Sequence, residues 1–203
     1  MSLADLLVEL EAAKDPNKAG HMEAYMRHQF SFLGVAGPER NALYKKYFPS
    51  AKKTKVIDWD FVETCWGQEP REYQYVAANY LKAMQSYLTK DDLPKLERLV
   101  VNKSWWDTVD ILDRVVGSLV YGKPELEERI LRWSLSDNIW LRRVAIDHQL
   151  LRKEKTNVQL MEKILLHNLN QTEFFINKAI GWALRDYSKT NPTWVAGFIE
   201  KNK

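Results

Sequence analysis

Cysteine is nearly absent from this chain, and long apolar runs are absent altogether. Because Cys65 is the single cysteine, the sequence has no internal disulfide framework, which fits a reducing compartment. No apolar run is long enough to cross a bilayer, and the first residues lack the pattern of a signal peptide. We therefore expect a cytoplasmic protein with no membrane association.

A strong net charge is also lacking. The chain has 30 Lys and Arg against 27 Asp and Glu, which gives a formal charge of +3 and a pI near 8.8. This balance permits an anionic partner but does not require one, because a slightly basic protein without such a partner has the same composition.

Several motifs for metal, phosphate or nucleophile chemistry are missing as well. The four histidines and the single cysteine show no zinc-ligand spacing, and His21 and His28 lie seven residues apart without a third ligand. Neither a phosphate-binding glycine loop nor a nucleophile elbow occurs. We expect neither a metal site nor a cofactor.

The sequence does contain helix after helix, with almost no strand signals. Its 203 residues, 45% of them hydrophobic, suffice for one sizeable core, so we expect a single domain over 1–203. The final helix either caps the array or begins a pair whose partner lies in a longer chain. Helical spacing with start and stop signals predicts three amino-terminal helices within 1–55, namely an opening helix through Leu10, then 21–30 and 39–48, with a loop at 31–38 and a basic connector at 49–55. Four helix pairs follow: 58–66 with 69–87, 92–101 with 105–121, 124–135 with 138–151, and 157–167 with 172–187. A last helix is predicted from 193 to about 201.

An internal repeat organises residues 56–203. When Glu72, Trp106, Trp140 and Phe175 share one column, the second helices of the four pairs come into register at spacings of 34, 34 and 35 residues. Helix pairs of this length stack side by side and bury their apolar faces against their neighbours. The predicted fold class is all-α: a right-handed superhelix, or solenoid, of stacked antiparallel helix pairs with a concave groove.

One carboxylate interrupts the repeat. The column four residues after the reference holds Val76, Asp110, Val144 and Ala179, so only Asp110 is charged. An acid at an aliphatic position is either part of a functional site or a buried carboxylate held by a neighbouring Arg or Lys as a structural ion pair. The sequence leaves both interpretations open. Asp113 is the chief rival for a chemical role, but its column is polar in three of the four repeats.

Aromatic and charged side chains share one side of the aligned second helices. At ~100° per residue, three columns fall beside the apolar stripe, with Asp110 at their edge. We interpret this side as a binding groove, while packing between repeats remains the ordinary role of such tryptophans. Trp182 indicates a groove more strongly than Trp106 and Trp140 do, because its column otherwise holds polar residues. The three columns contain Trp106, Trp140 and Phe175; Tyr75, Val109, Arg143 and Lys178; and Asn79, Asp113, Asp147 and Trp182.

Long stretches of the sequence resemble the bacterial AlkD-type DNA alkylation repair glycosylases. They are 104–110 (SWWDTVD), 140–145 (WLRRVA) and 178–192 (KAIGWALRDYSKTNP), and residues 25–38 resemble the amino-terminal signature of that family. The likeness covers nearly the whole chain. It implies a HEAT-like superhelix that hydrolyses the N-glycosidic bond of cationic N3- or N7-alkylated purines in double-stranded DNA, as a base excision repair enzyme. We expect it to act as a monomer.

The same resemblance implies roles for individual residues. Asp110 corresponds to the catalytic aspartate, and Trp106 and Trp182 correspond to the two groove tryptophans of the family. Arg143 corresponds to the groove arginine, expected to hold a DNA phosphate, and Tyr25 to an amino-terminal DNA contact. The helical wheel places four of these five residues on one side.

Lys178 and Arg185 are further candidates for phosphate contacts. Two positions depart from the family pattern: Asp113 replaces a small apolar residue, and Glu39 precedes Arg40 where a second basic residue is common. Neither departure affects the matched catalytic positions. The alternative to a glycosylase is a non-catalytic HEAT-like scaffold that binds DNA or a protein, since a solenoid fold does not determine function.

Overall fold

The computed structural model describes residues 2–202, and these residues form twelve α-helices, three short 3-10 helices and no strand. The predicted all-α class is confirmed. The chain divides into two compact units, Met1–Leu88 and Thr89–Lys203, and the single domain expected from the sequence stays a prediction. Among the described residues, no helix has both the length and the apolar character that crossing a bilayer requires.

The first unit contains five α-helices, namely α1 (Leu3–Ala12), α2 (Pro16–Tyr25), α3 (Gly37–Lys52), α4 (Trp59–Gly67) and α5 (Arg71–Met84). The side chains of Ser2, Asp15 and Asp58 cap three of them. Each cap accepts a hydrogen bond from a first-turn N–H that has no partner within the helix. α3 packs against α1 and α5, and α5 also packs against α4.

Two helices of this unit differ from the sequence prediction. A helix is predicted over 21–30, but α2 starts at Pro16, behind the Asp15 cap, and ends at Tyr25. It stops there because Arg27 and His28 have φ values of 55° and 54°, in the left-handed region. The predicted connector after residue 48 is partly helical, since α3 continues to Lys52 with a proline in its last turn.

Glu72 is a buried structural acid in the first unit. Its side chain is fully buried, and it accepts hydrogen bonds from the backbone N–H groups of Leu33, Gly34 and Val35 at 2.9, 2.9 and 3.1 Å. A buried carboxylate is tolerated only with such partners. The contacts hold the predicted loop at 31–38 against α5.

The second unit contains seven α-helices, namely α6 (Leu93–Val101), α7 (Trp106–Val120), α8 (Pro124–Trp133), α9 (Ile139–Asp147), α10 (Val158–His167), α11 (Phe174–Ser188) and α12 (Pro192–Lys201). α7, α9 and α11 are the second helices of three successive predicted pairs, and α9 packs against both α7 and α11. The repeat register therefore corresponds to neighbouring helices. α9 ends four residues before the predicted limit at 151, and a 3-10 helix, Lys153–Lys155, follows.

A glycine permits a close approach between α7 and the residues that follow α9. A Cβ atom on Gly117 would lie 2.0 Å from the carbonyl oxygen of His148. No larger side chain fits at that distance without a backbone shift. The contact places the segment 148–155 against the second half of α7.

Candidate active site

Asp110 lies in the second turn of α7, and its side chain is 20% exposed. Both carboxylate oxygens accept hydrogen bonds from Arg143, at 2.8 Å from Nε to Oδ1 and 2.9 Å from Nη2 to Oδ2. Such bidentate pairs are stronger and more directional than single contacts. The ion pair that the sequence left open is therefore present, and the side chain of Asp110 still reaches solvent.

Arg143, on α9, connects three helices. Its Nη1 donates to the carbonyl oxygen of Phe175 on α11 at 2.7 Å, and its guanidinium carbon lies 5.0 Å from the ring centroid of Trp182. The Arg143 side chain is only 2% exposed. Burial alone would lower the pKa of Arg143, but the hydrogen bonds and charge of Asp110 outweigh burial and raise it. The guanidinium therefore stays charged and fixes the orientation of the Asp110 carboxylate.

Two further acids, Asp113 and Asp147, surround this pair. Both are buried, and ligand oxygens of Asp110, Asp113 and Asp147 lie within 4.8 Å of one another. Burial raises the pKa of Asp113 well above its ordinary value and the pKa of Asp147 to about 8. Three carboxylates are a suitable ligand set for a hard cation, but Arg143, 2.8 Å from Asp110 and 4.0 Å from Asp147, already supplies a positive charge to them.

Trp182 belongs to an exposed aromatic and cationic face of α11. Its side chain is 43% exposed and Phe174 is 59% exposed. Lys178 Nζ lies 5.5 Å from the Phe174 ring centroid, and Arg185 is exposed in the last turn of the same helix. Residues at these spacings lie on adjoining positions of a helix surface. The face combines stacking surfaces with two cations that solvent can reach.

The remaining tryptophans of the predicted groove separate into two roles. Trp106 is partly exposed in the first turn of α7, four residues before Asp110 and on the same side of the helix. Trp140 is buried and packs against Trp105 and Phe175, with ring centroids 5.8 and 4.9 Å away. Trp106 can therefore meet a ligand beside Asp110, whereas Trp140 is a packing residue.

Tyr25, the expected amino-terminal DNA contact, lies in the first unit. It is the last residue of α2, and its side chain is 71% exposed. It borders a cavity of about 350 Å³ that Arg40 and Tyr75 also line. The guanidinium carbon of Arg40 lies 4.4 Å from the Tyr75 ring centroid.

The prediction of an open groove along three helix columns is wrong for most of its members. Val109 and Arg143 are 1% and 2% exposed, and Asp113 and Asp147 are 2% and 0% exposed. These four residues face neighbouring helices because α9 lies in contact with both α7 and α11, whereas Trp106, Lys178 and Trp182 of the same columns reach solvent. The phosphate contact expected for Arg143 conflicts with this burial in the free protein, since a phosphate reaches the guanidinium only if the side chain moves.

The sequence points to Asp110 but not to two groups beside its partner, Arg143. Asp147 lies 4.0 Å from Arg143, and the carbonyl oxygen of Phe175 accepts from it. The spacing of Arg143 and Asp147, four residues apart on one helix, was a usable signal. The carbonyl contact depends on the packing of α9 against α11 and leaves no mark in the sequence.

Comparison with known proteins identifies the family of the chain. The family model for DNA alkylation repair enzymes matches residues 6–203. Among solved structures, a predicted DNA alkylation repair enzyme from Enterococcus faecalis is 37% identical, with a TM-score of 0.85 over 93% of this chain and 89% of that chain. No curated protein matches the chain. Since the family match extends over nearly the whole sequence, the chain belongs to the DNA alkylation repair enzyme family.

Proposed function

We propose that this protein is a DNA glycosylase that hydrolyses the N-glycosidic bond of cationic N3- or N7-alkylated purines in duplex DNA. The observation that carries the proposal is a solvent-reaching carboxylate, Asp110, fixed by Arg143 beside the exposed ring of Trp182. Family membership supplies the substrate class at the level of alkylated DNA.

A single available carboxylate suits this reaction. Ordinary glycosidases use one acid to protonate the leaving group and a second carboxylate on the sugar side. A cationic alkylpurine leaves as a neutral base, so the protonating acid is not required. Asp110 then stabilises the oxocarbenium-like sugar and orients or deprotonates the attacking water. A carboxylate has about four lone-pair sites, so its two bonds to Arg143 leave sites for water.

The aromatic and cationic residues around Asp110 have separate tasks in the proposal. Trp106 and Trp182 attract the positively charged nucleotide, at roughly 0.5–2 kcal/mol for each favourable cation–ring pair. Lys178 and Arg185 bind backbone phosphates, which gives salt-dependent affinity without sequence preference. Arg143 is assigned to positioning Asp110, because of its burial.

A non-catalytic DNA-binding scaffold is the second candidate, and one observation favours it. An Arg–Asp pair with a nearly buried guanidinium is also what a purely structural ion pair looks like. In that case Lys178, Arg185 and Trp182 form a binding face and Asp110 has no chemical task.

An excision assay separates the two candidates. Duplex DNA treated with a methylating agent is incubated with the protein, and released bases are quantified by chromatography. The glycosylase predicts release of 7-methylguanine or 3-methyladenine above the rate without protein. Binding of the same duplex without release of either base would leave the scaffold as the better account.

A further inference from the structure

A second feature of the second unit is a cavity on the side of α7 that meets the residues after α9. It has a volume of about 230 Å³ and opens to solvent, since Tyr121 is 50% exposed and Lys155 is exposed. One water requires only ~10–15 Å³, so the cavity has room for a small ligand. Its walls include Arg114, Ser118, Tyr121, His148, Arg152 and Lys155.

Two arginines are held crosswise at this cavity by backbone carbonyl groups. Arg114, on α7, donates to the carbonyl oxygen of Leu150 at 3.2 Å. Arg152, from the segment after α9, donates to the carbonyl oxygen of Gly117 on α7 at 2.7 Å and to the side chain of Gln149 at 3.1 Å. These hydrogen bonds orient both side chains before any ligand arrives. Because a guanidinium has five N–H donors, each arginine also keeps donors for a ligand.

The positive charge of the cavity is poorly compensated. No carboxylate belongs to its described lining, and Arg152 has only neutral hydrogen-bond acceptors. Burial lowers the pKa of Arg152, although nearby Glu127 partly opposes this effect. Arg114 does contact an acid, with Nε 3.1 Å from Asp113, and burial raises the pKa of that carboxyl.

His148 contributes no positive charge to these walls at neutral pH. Burial lowers its pKa to about 3, so the ring is neutral. Lys155 is exposed on the short 3-10 helix and has no acidic partner in the part of the chain that the structure describes. The cavity thus collects three cations, Arg114, Arg152 and Lys155, with a hydroxyl from Ser118 at its edge.

We propose that this cavity binds a phosphate group, held by Arg114, Arg152 and Lys155. A guanidinium matches two phosphate oxygens at once, and a lysine ammonium adds a point charge. The hydroxyl of Ser118 supplies a further donor. None of these residues belongs to the Asp110, Arg143 and Trp182 group, so the inference stands or falls independently of glycosylase activity.

The phosphate can come from two sources with the same chemistry. It is either a free ligand, such as inorganic phosphate or a nucleotide, or a phosphodiester of the DNA backbone bound away from Asp110. Lys155→Gln tests both, because the side chain is exposed and its replacement leaves the fold intact. Lys153→Gln is the matched control, since it removes the same charge from the same 3-10 helix without touching the cavity.

The experiment titrates each protein with inorganic phosphate by calorimetry and, separately, with undamaged duplex DNA at several salt concentrations. We expect Lys155→Gln to lower the affinity for one of these two ligands about tenfold, as for one lost charge-assisted contact. Lys153→Gln should lower neither affinity to that extent. Loss of phosphate binding with unchanged duplex affinity identifies a free ligand. A salt slope flattened by about one unit identifies a backbone phosphate. The proposal is overturned if Lys155→Gln and Lys153→Gln behave alike with both ligands.

Discussion

At the scale of single residues, the candidate site depends on how Arg143 is held. Its guanidinium makes two hydrogen bonds to Asp110 and one to the carbonyl oxygen of Phe175, and solvent barely reaches it. In the proposed reaction, such a residue acts through Asp110. The proposal assigns the DNA backbone to the exposed cations Lys178 and Arg185.

Arg143→Gln therefore separates positioning from DNA binding. It removes the bidentate pair, and we expect single-turnover excision to fall about 10- to 100-fold, since a charge-assisted hydrogen bond contributes roughly 1.5–3 kcal/mol. Affinity for undamaged duplex and its salt dependence should change little, because the guanidinium is buried. Excision rates and duplex titrations at several salt concentrations measure the two effects, after circular dichroism has verified the fold.

Lys178→Gln is the comparison, because it removes the same charge from an exposed position on α11. We expect weaker binding to every duplex and a salt slope flatter by about one unit. The opposite pattern, a flattened slope in Arg143→Gln and an unchanged slope in Lys178→Gln, would return Arg143 to the phosphate contacts.

Asp147 gives the site a pH dependence whose sign follows from its burial. Its folded pKa of about 8 exceeds the ordinary value of 3.8, so the folded protein holds an extra proton between these limits. The contribution of Asp147 to the free energy of unfolding is fully present below about pH 4. It is lost as pH rises towards 8, at about 1.4 kcal/mol per pH unit. We expect Asp147→Asn to remove this loss, so that its free energy of unfolding rises relative to the unmodified protein from pH 4 to 8.

Urea unfolding at a series of pH values provides this measurement. His148 acts in the opposite direction, because its lowered pKa of about 3 removes stability as pH falls below its ordinary 6.5. The difference between variant and unmodified protein cancels that contribution. Parallel stability curves over the whole range would mean that Asp147 is ionised when folded.

The sequence was informative about Asp110 but not about its surroundings. A charge in an otherwise aliphatic column can be seen by aligning Val76, Asp110, Val144 and Ala179. A helical wheel gives the direction of a side chain from its own axis, but not the helix that covers it. The burial of Arg143 therefore became visible only in three dimensions.

At the scale of helices, caps and close contacts determine where each element begins and how it packs. Asn157 and Asn191 cap α10 and α12 within two residues of the predicted starts, 157 and 193, because their side chains accept from first-turn N–H groups. The start of α2 was missed, although Asp15 followed by Pro16 is a start signal of the same kind. Its end was not predictable from pattern, since it depends on two residues with positive φ.

At Gly117, α7 lies too close to the backbone of His148 for a side chain to fit between them. We expect Gly117→Ala to lower the free energy of unfolding by about 1–3 kcal/mol, because its Cβ would meet the carbonyl oxygen of His148 at 2.0 Å. Gly181→Ala is the matched control on α11, where a Cβ meets nothing within 4 Å and should stabilise by roughly 0.5–1 kcal/mol. Urea unfolding compares the two. Equal stabilities would show that α7 and residues 148–155 separate without cost.

At the scale of the whole molecule, the repeat and the motifs carried most of the prediction. The spacing of 34 or 35 residues predicted that α7, α9 and α11 are neighbours, and they are. The all-α class and the DNA alkylation repair family also followed from the sequence. The cationic cavity did not, because Arg114 and Arg152 are far apart in sequence and meet only through contacts between α7 and the segment after α9.

The central claim is that the carboxylate of Asp110 performs the chemistry, and Asp110→Asn tests it most directly. Release of 7-methylguanine from methylated duplex is measured under single-turnover conditions, together with duplex affinity, and Asp107→Asn on the same helix is the control. We expect Asp110→Asn to lower the excision rate by roughly 10²–10⁴-fold with nearly unchanged affinity, and Asp107→Asn to stay close to the unmodified protein. Excision by Asp110→Asn at the unmodified rate would contradict the account.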